Sequence, residues 1–118
     1  MISFTINGQL RGGKNAILTT RTGHRYPNPS WAKTRDEVLK QIMSQRKNPP
    51  ITQRSKITIN YWPGDKRRRD VPGMMDFVFH VLEKAGVVKD DALFADVYFV
   101  TMEVNQGKPW ASITIFNE

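Results

Sequence analysis

Four consecutive cations run directly into a carboxylate in the middle of this chain, in the segment Lys66-Arg67-Arg68-Arg69-Asp70. An acidic pair, Asp90-Asp91, begins twenty residues after Asp70. Cations bind phosphate groups, and clustered carboxylates bind divalent metal ions. Metal-assisted cleavage of a nucleic-acid backbone requires both kinds of group, so this pattern predicts chemistry on a polyanion.

The charge of the 118-residue chain is divided unevenly along its length, with a net value of +7. Residues 1–69 carry fifteen lysines and arginines against three acidic residues, a balance of +12. Residues 70–118 carry three against eight, a balance of −5. A strongly basic first part favours a polyanionic partner, and we expect that partner to be a nucleic acid.

Composition argues against several other classes of protein. The chain has no cysteine, which excludes disulfides and thiolate zinc sites, and its two histidines, His24 and His80, argue against an all-protein zinc site. The N-terminus lacks a charged leader, and no apolar stretch is long enough to cross a bilayer. We therefore expect a cytoplasmic protein without a membrane partner.

Local patterns predict the elements that position the charged groups. Alternating apolar residues predict strands at residues 2–6 and 56–62. A small hairpin is predicted around Thr22-Gly23. A helix over about residues 31–46 is predicted to begin at Ser30, and a second start with capping-box spacing is available at Thr34-x-x-Glu37.

A second helix is predicted to begin at Asp70, because proline at position 72 is tolerated in a first turn, and to end at Gly86. Its predicted apolar stripe is Met75, Val78, Phe79, Leu82 and Ala85. Residues 94–104 and 110–116 are predicted to be paired strands. The result is one α+β domain over residues 1–118, a mixed β-sheet with two main helices packed on it.

The acidic residues also have structural interpretations. Asp70 can cap the second helix, and Asp90-Asp91 can belong to the turn that opens a strand. A helix of some fifteen residues is about 22 Å long, so its two ends share a metal only if the chain folds back. Asp76 and His80, four residues apart, lie either near one cation or on a solvated face, which is the more common arrangement.

Adjacent arginines repel one another, and a bound anion relieves that repulsion. Phosphate is a natural ligand for Arg67, Arg68 and Arg69, since a guanidinium binds it in bidentate fashion. Tyr61 and Trp62 precede this segment. Aromatic side chains beside cations stack on unpaired bases, although one of the two is equally well explained as a core residue.

The segments Arg67–Val71, Leu82–Gly86 and Asp90–Ala92 resemble the RusA family of Holliday junction resolvases. That family is marked by an Arg-rich turn, Asp-x-Asp-Asn opening a helix, a lysine within the helix, and Ala-Gly followed by Asp-Asp. The resemblance is close over residues 61–118 and looser over residues 1–50. It implies a RusA-like fold and a homodimer that binds branched or duplex DNA and nicks branched DNA in recombination and repair. Mg²⁺, or Mn²⁺ in its place, is the implied cofactor, and no small-molecule substrate is expected.

The resemblance assigns catalytic roles residue by residue. Asp70 and Asp91 match acids of the family motif and are the implied metal ligands, with Asp90 as an acidic neighbour. Pro72 stands where the family has its second aspartate, and Gly73 stands in place of the asparagine. Two of the four expected catalytic groups are therefore replaced, the second aspartate and the helical lysine.

Asp76 occupies the position of the family's lysine and reverses its charge. It can replace the missing carboxylate as a third metal ligand, since positions 72 and 76 share a helix face, while Lys89 or Arg69 replaces the lysine. We then expect the carboxylates at 70, 76 and 91 to converge in one pocket. The predicted DNA contacts are Lys66, Arg67, Arg68 and Arg69, with a second patch at Lys14, Arg21 and Arg25.

Two other functions fit the same residues. A chain that has lost cleavage would still bind DNA junctions through its cations. A basic RNA-binding module is the third alternative.

Overall fold

Residues 1–12 and 17–117 are described in a computed structural model, where they form two α-helices and six β-strands. The elements in chain order are β1 Ile2–Asn7, β2 Ile17–Thr19, β3 Arg25–Pro27, α1 Pro29–Gln45, β4 Ser55–Trp62, α2 Val71–Lys84, β5 Phe94–Thr101 and β6 Trp110–Asn117. A short 3₁₀ turn, Asp91–Leu93, precedes β5. The α+β class, with a mixed sheet and two main helices, is confirmed.

Strand order in the main sheet is β1-β6-β4-β5, with β4 and β5 parallel and the other neighbours antiparallel. The predicted pairing of the last two strands is therefore wrong. The 14-residue helix α2 is about 21 Å long, which returns the chain to the start of β4. Phe94 consequently pairs beside Ser55, and β5 runs parallel to β4.

After β5 the chain crosses the end of β4 to reach that strand's other edge. The backbone N–H of Met102 donates to the Tyr61 carbonyl at 2.7 Å, and that of Asn105 donates to the Pro63 carbonyl at 2.8 Å. These bonds end β5 at Thr101, three residues earlier than predicted. The chain then enters β6, which lies between β4 and β1.

The core lies between the sheet and the helices. Alternate residues of β4 are buried, among them Ile57, Ile59 and Tyr61. α1 contributes Val38 and Ile42. The buried residues of α2 are Gly73, Met74, Phe77, Val78, Val81 and Leu82.

The predicted stripe of α2 is only partly correct, because α2 packs against both α1 and the rest of the core. Val78, Leu82 and Ala85 are buried as predicted, whereas Met75 is half-exposed. The wider contact buries Phe77 as well, whose ring meets Trp31 of α1 edge-on, with 5.7 Å between centroids.

Two glutamines of α1 cover the free edge of β1. The Gln45 amide accepts from the Thr5 N–H at 2.8 Å and donates to the Thr5 carbonyl at 2.7 Å. Gln41 does the same for Asn7, at 2.7 and 2.8 Å. The side-chain amides thus replace a neighbouring strand and leave less of this edge open to pairing.

α1 begins at Pro29, two residues before the predicted start at about residue 31. Proline suits a first helical position because it has no N–H to satisfy. Its N-cap is Asn28, whose side chain accepts from the Ser30 N–H at 3.0 Å, so the prediction of Ser30 is wrong. The Thr34 hydroxyl donates to the Ser30 carbonyl at 3.2 Å inside the helix, and the second start is not used.

α2 begins and ends as predicted. The Asp70 carboxylate accepts from the Gly73 N–H at 3.3 Å, and Gly86 ends the helix with φ of 74°. In the described part of the chain, neither helix is long and apolar enough to cross a lipid bilayer.

Candidate functional site

Two distant segments of the chain form a cleft at the N-terminal end of α2. It has a volume of about 380 Å³ and is called the cationic cleft below. Its lining residues are Gln9, Leu10, Arg11, Gly12, Arg67, Arg68, Arg69, Asp70 and Met74. Four arginines and one carboxylate therefore line the same cleft, and arginines suit a phosphate-rich ligand.

The first wall of the cleft is the loop after β1, which is anchored at three points. Leu10 is buried, and its N–H donates to the Tyr61 hydroxyl at 3.4 Å. The Arg11 guanidinium donates to the Ser30 hydroxyl at 3.3 Å, which ties the loop to α1. Gly12 lies against Asp70, since a Cβ on this glycine would be 3.6 Å from the Asp70 Cβ.

The second wall is the turn between β4 and α2, and Asp65 holds it together. Its carboxylate accepts from Arg69 Nη2 at 2.6 Å, from Arg67 Nε at 3.1 Å and from the Arg67 N–H at 2.9 Å. The hydrogen bond from Arg69, followed by that from the Arg67 backbone, lowers the pKa of Asp65 to about 2. Asp65 is thus an anion of the chain itself that pairs with Arg67 and Arg69, whereas the sequence indicated phosphate as their ligand.

The cations of this turn consequently differ in what they can bind. The Arg69 side chain is only 13% exposed and donates to Asp65 and to the Arg67 carbonyl, so it mainly positions the turn. Arg67 remains 76% exposed despite its ion pair. Lys66 and Arg68 are exposed and form no ion pair with the residues described. Lys66, Arg67 and Arg68 are therefore the available phosphate ligands.

The predicted acidic residues form no cluster of three within the described part of one chain. Asp70 caps the start of α2, a helix about 21 Å long, and Asp91 lies in the 3₁₀ turn that follows the other end of the helix. Asp76 lies between them on an exposed face of α2. Residues 1–12 and 17–117 contain no cluster of three or more acidic, histidine or cysteine residues able to hold a metal.

The described residues of one copy thus form no carboxylate pocket, and the expected convergence of the acids at 70, 76 and 91 stays a prediction. α2 connects the parallel strands β4 and β5, so the chain enters α2 after the end of β4 and leaves it towards the start of that strand. Mg²⁺ requires several oxygen ligands in near-octahedral geometry. The described residues of one copy do not fit that requirement.

Two of the acids act as local caps. Asp70 caps α2, and the Asp90 carboxylate accepts from the Ala92 N–H at 2.9 Å, which caps the 3₁₀ turn.

His80 lies beside Trp31, with 5.9 Å between ring centroids. Burial, and then the charge of Arg35, lower the pKa of His80.

The second predicted patch lies on the β2–β3 hairpin, which forms its own two-stranded sheet. Arg21 and Arg25 are exposed there. Gly23 has φ of 86°, as the tight turn requires. Lys14, the third predicted residue of this patch, lies outside the described residues.

Sequence reasoning missed two residues of the site. Asp65 had a usable signal, because it is spaced four residues from Arg69 and two from Arg67. Arg11 had none, since its position in the cleft depends on the contact between Leu10 and Tyr61, 51 residues apart in sequence.

Comparison with known proteins bears on this arrangement. No family model matches the chain. The chain is 26% identical over 101 residues to the crossover junction endodeoxyribonuclease RusA of Aquifex aeolicus. The alignment covers 86% of this chain and 79% of the relative. The similarity supports a RusA-like family. The alignment spans most of both chains and so is not confined to the segment around Asp70.

Proposed function

We propose that this RusA-like chain is a structure-specific endodeoxyribonuclease that binds and nicks crossover (Holliday) junctions in DNA recombination and repair. The observation that carries the proposal is the cationic cleft, in which Asp70 lies among four arginines. The similarity to a crossover junction endodeoxyribonuclease supports branched DNA as the ligand.

Phosphate binding would use the exposed cations at the rim of the cleft. Lys66, Arg67 and Arg68 carry charge on side chains that solvent reaches, on a turn that Asp65 already holds in place. A preorganised turn loses less conformational freedom when a ligand binds. The Arg21 and Arg25 hairpin would supply a second contact along the DNA.

Metal-assisted cleavage, as part of this proposal, needs two copies of the chain. Since the described residues of one copy bring no three acids together, Asp70 of one copy and Asp91 of another would hold Mg²⁺ or Mn²⁺, and the ion would supply activation of a water molecule. Asp76 and Asp90 would be auxiliary acids. The functional unit is therefore a homodimer.

The test uses a labelled four-way junction, with and without Mg²⁺. We expect the protein to nick it only with Mg²⁺, and we expect Asp70→Asn to reduce nicking by about 100-fold or more. Asparagine is as good an N-cap as aspartate, so this variant removes the charge and keeps the helix start. Asp96→Asn, an exposed acid on β5, is the matched control. Equal nicking by Asp70→Asn and the parent protein would refute the role of Asp70.

One observation favours a second candidate, a junction-binding protein that does not cut. Pro72 and Asp76 stand where the family has an acid and a lysine, and one described chain contains no acidic cluster. The nicking assay with the four-way junction distinguishes the two candidates. Tight, salt-sensitive binding of the junction without nicking in Mg²⁺ or Mn²⁺ would favour this candidate, and stronger competition by structured RNA than by DNA would exclude both.

A further inference from the structure

Two tryptophans stack on each other at one end of the main sheet. Trp62 ends β4 and pairs in register with Trp110, which begins β6. Their ring centroids are 3.9 Å apart and the rings are within 1° of parallel. Tyr61 and Ala111, one position along each strand, are fully buried, so the tryptophans face the side of the sheet away from the helices. Both remain partly exposed.

The tryptophan pair lies at the same end of the molecule as the cationic cleft. Gly64 opens the turn that carries the cations and packs directly on Pro109, since a Cβ on this glycine would lie 2.8 Å from the Pro109 ring. The Gly107 N–H donates to the Gly64 carbonyl at 2.9 Å. The loop that leads into Trp110 is thus fixed against the turn that leads to the arginines.

A recess adjoins Trp110. It has a volume of about 570 Å³ and is lined by Asn7, Gly8, Asn105, Gly107, Lys108, Pro109 and Trp110. The loop after β1 separates it from the cationic cleft, because Asn7 and Gly8 line the recess and Gln9 to Gly12 line the cleft. A DNA strand that crosses this loop would meet both cavities in turn.

A cross-strand aromatic pair also stabilises the end of a sheet, and this role explains why the two rings stack. It does not explain why a flat aromatic surface adjoins a recess that contains a lysine and two asparagines. Aromatic surface, amide groups and a cation are together what recognises an unpaired nucleobase and its phosphate.

We propose that Trp62 and Trp110 form a stacking site for one unpaired nucleobase of branched DNA, with Lys108 beside its phosphate. This inference depends on the proposed function, because the cationic cleft brings the DNA to this end of the sheet. The site would favour a junction with an unstacked base at its branch point over a continuous duplex, whose bases are already stacked on one another.

The test uses Trp31→Phe protein, in which the stacked pair supplies all the tryptophan fluorescence. The Trp31 N–H has no hydrogen-bond partner among the described residues, so this substitution removes no hydrogen bond. The probes are a four-way junction with unpaired thymines at its branch point and the same junction with abasic sites there. Both probes carry equal numbers of phosphates. We expect fluorescence quenching with thymine alone, and binding that is about tenfold tighter for thymine than for the abasic probe.

Equal affinity and equal fluorescence for the two probes would overturn the stacking site and leave DNA binding by the cleft intact. Failure to bind either probe would overturn the proposed function, and this inference with it. In a folded Trp110→Leu variant, we expect the affinity for thymine to fall to that for the abasic probe. Unchanged discrimination in that variant would also overturn the inference.

Discussion

The two ends of α2 hold acids of the same kind in different surroundings. At the first end, Asp70 lies in a cleft with four arginines, between a loop and a turn that are both anchored. At the second end, Asp90 caps a 3₁₀ turn and Asp91 is exposed. One described copy thus gathers arginines at one end of α2 and does not cluster its acids there. Under the proposed function, cleavage would therefore depend on how copies assemble.

The largest expected effect tests whether the two ends of α2 differ in function, and it concerns Asp91, which lies outside the cleft. We expect Asp91→Asn to reduce Mg²⁺-dependent nicking by about 100-fold or more and to leave junction affinity unchanged, because a lost metal ligand affects cleavage and not phosphate binding. Nicking assays and gel shifts on one protein preparation measure both. Full nicking by this variant would show that the Asp70 end acts alone.

The second effect compares exposed arginines at the two ends of β4. We expect Arg68→Ala to lower the slope of log affinity against log salt by about 0.9, since one phosphate contact is lost. Arg54→Ala, at the Asp91 end, is the matched control and should leave the slope unchanged. Equal changes in both variants would mean that the cleft has no special role.

Replacing three arginines of the turn together tests how many of them contact phosphate. If all three side chains contacted phosphate, alanine at Arg67, Arg68 and Arg69 would lower the salt slope by roughly two to three units. Because the Arg69 side chain is committed to Asp65, we now expect a loss of about two units. A loss of three would show that Arg69 contacts phosphate.

The smallest effect concerns the turn itself. The pKa of Asp65 is lowered from 3.8 to about 2 in the folded chain, first by the hydrogen bond from Arg69. A depressed carboxyl pKa contributes stability above the unfolded value, which is lost as the pH falls from about 4 to 2. The carboxylate is exposed, so the contribution is small. As the pH falls through this range, we expect the melting temperature of the parent protein to approach that of Asp65→Asn. Parallel curves would contradict a stabilising role for the ion pairs of Asp65 with Arg67 and Arg69.

Local signals in the sequence predicted much of the fold. Asp70 as a helix cap and Gly86 as a helix end follow from chemistry within a few residues, and the alternation of residues 56–62 follows from a strand with one buried face. The order of the strands did not follow, because β6 inserts between β4 and β1 through contacts between distant segments.

The candidate site, like the fold, was only partly predictable from the sequence. The basic turn was visible in the sequence because its cations are consecutive. The cleft was not, since Arg11 reaches it only through the packing of Leu10 on Tyr61. The helix between Asp70 and Asp91 was visible in the sequence, whereas the convergence expected from the resemblance is not present among the described residues of one copy.

Mixing two inactive variants tests the central claim most directly. Asp70→Asn and Asp91→Asn chains, each unable to nick a junction alone, are unfolded together and refolded at equal concentrations. If the two acids act in different copies, a mixed dimer contains one intact site, and we predict recovery of about one quarter of the parent activity. A mixture that stays inactive, while the parent protein nicks, would contradict the account and place both acids of each site in the same copy.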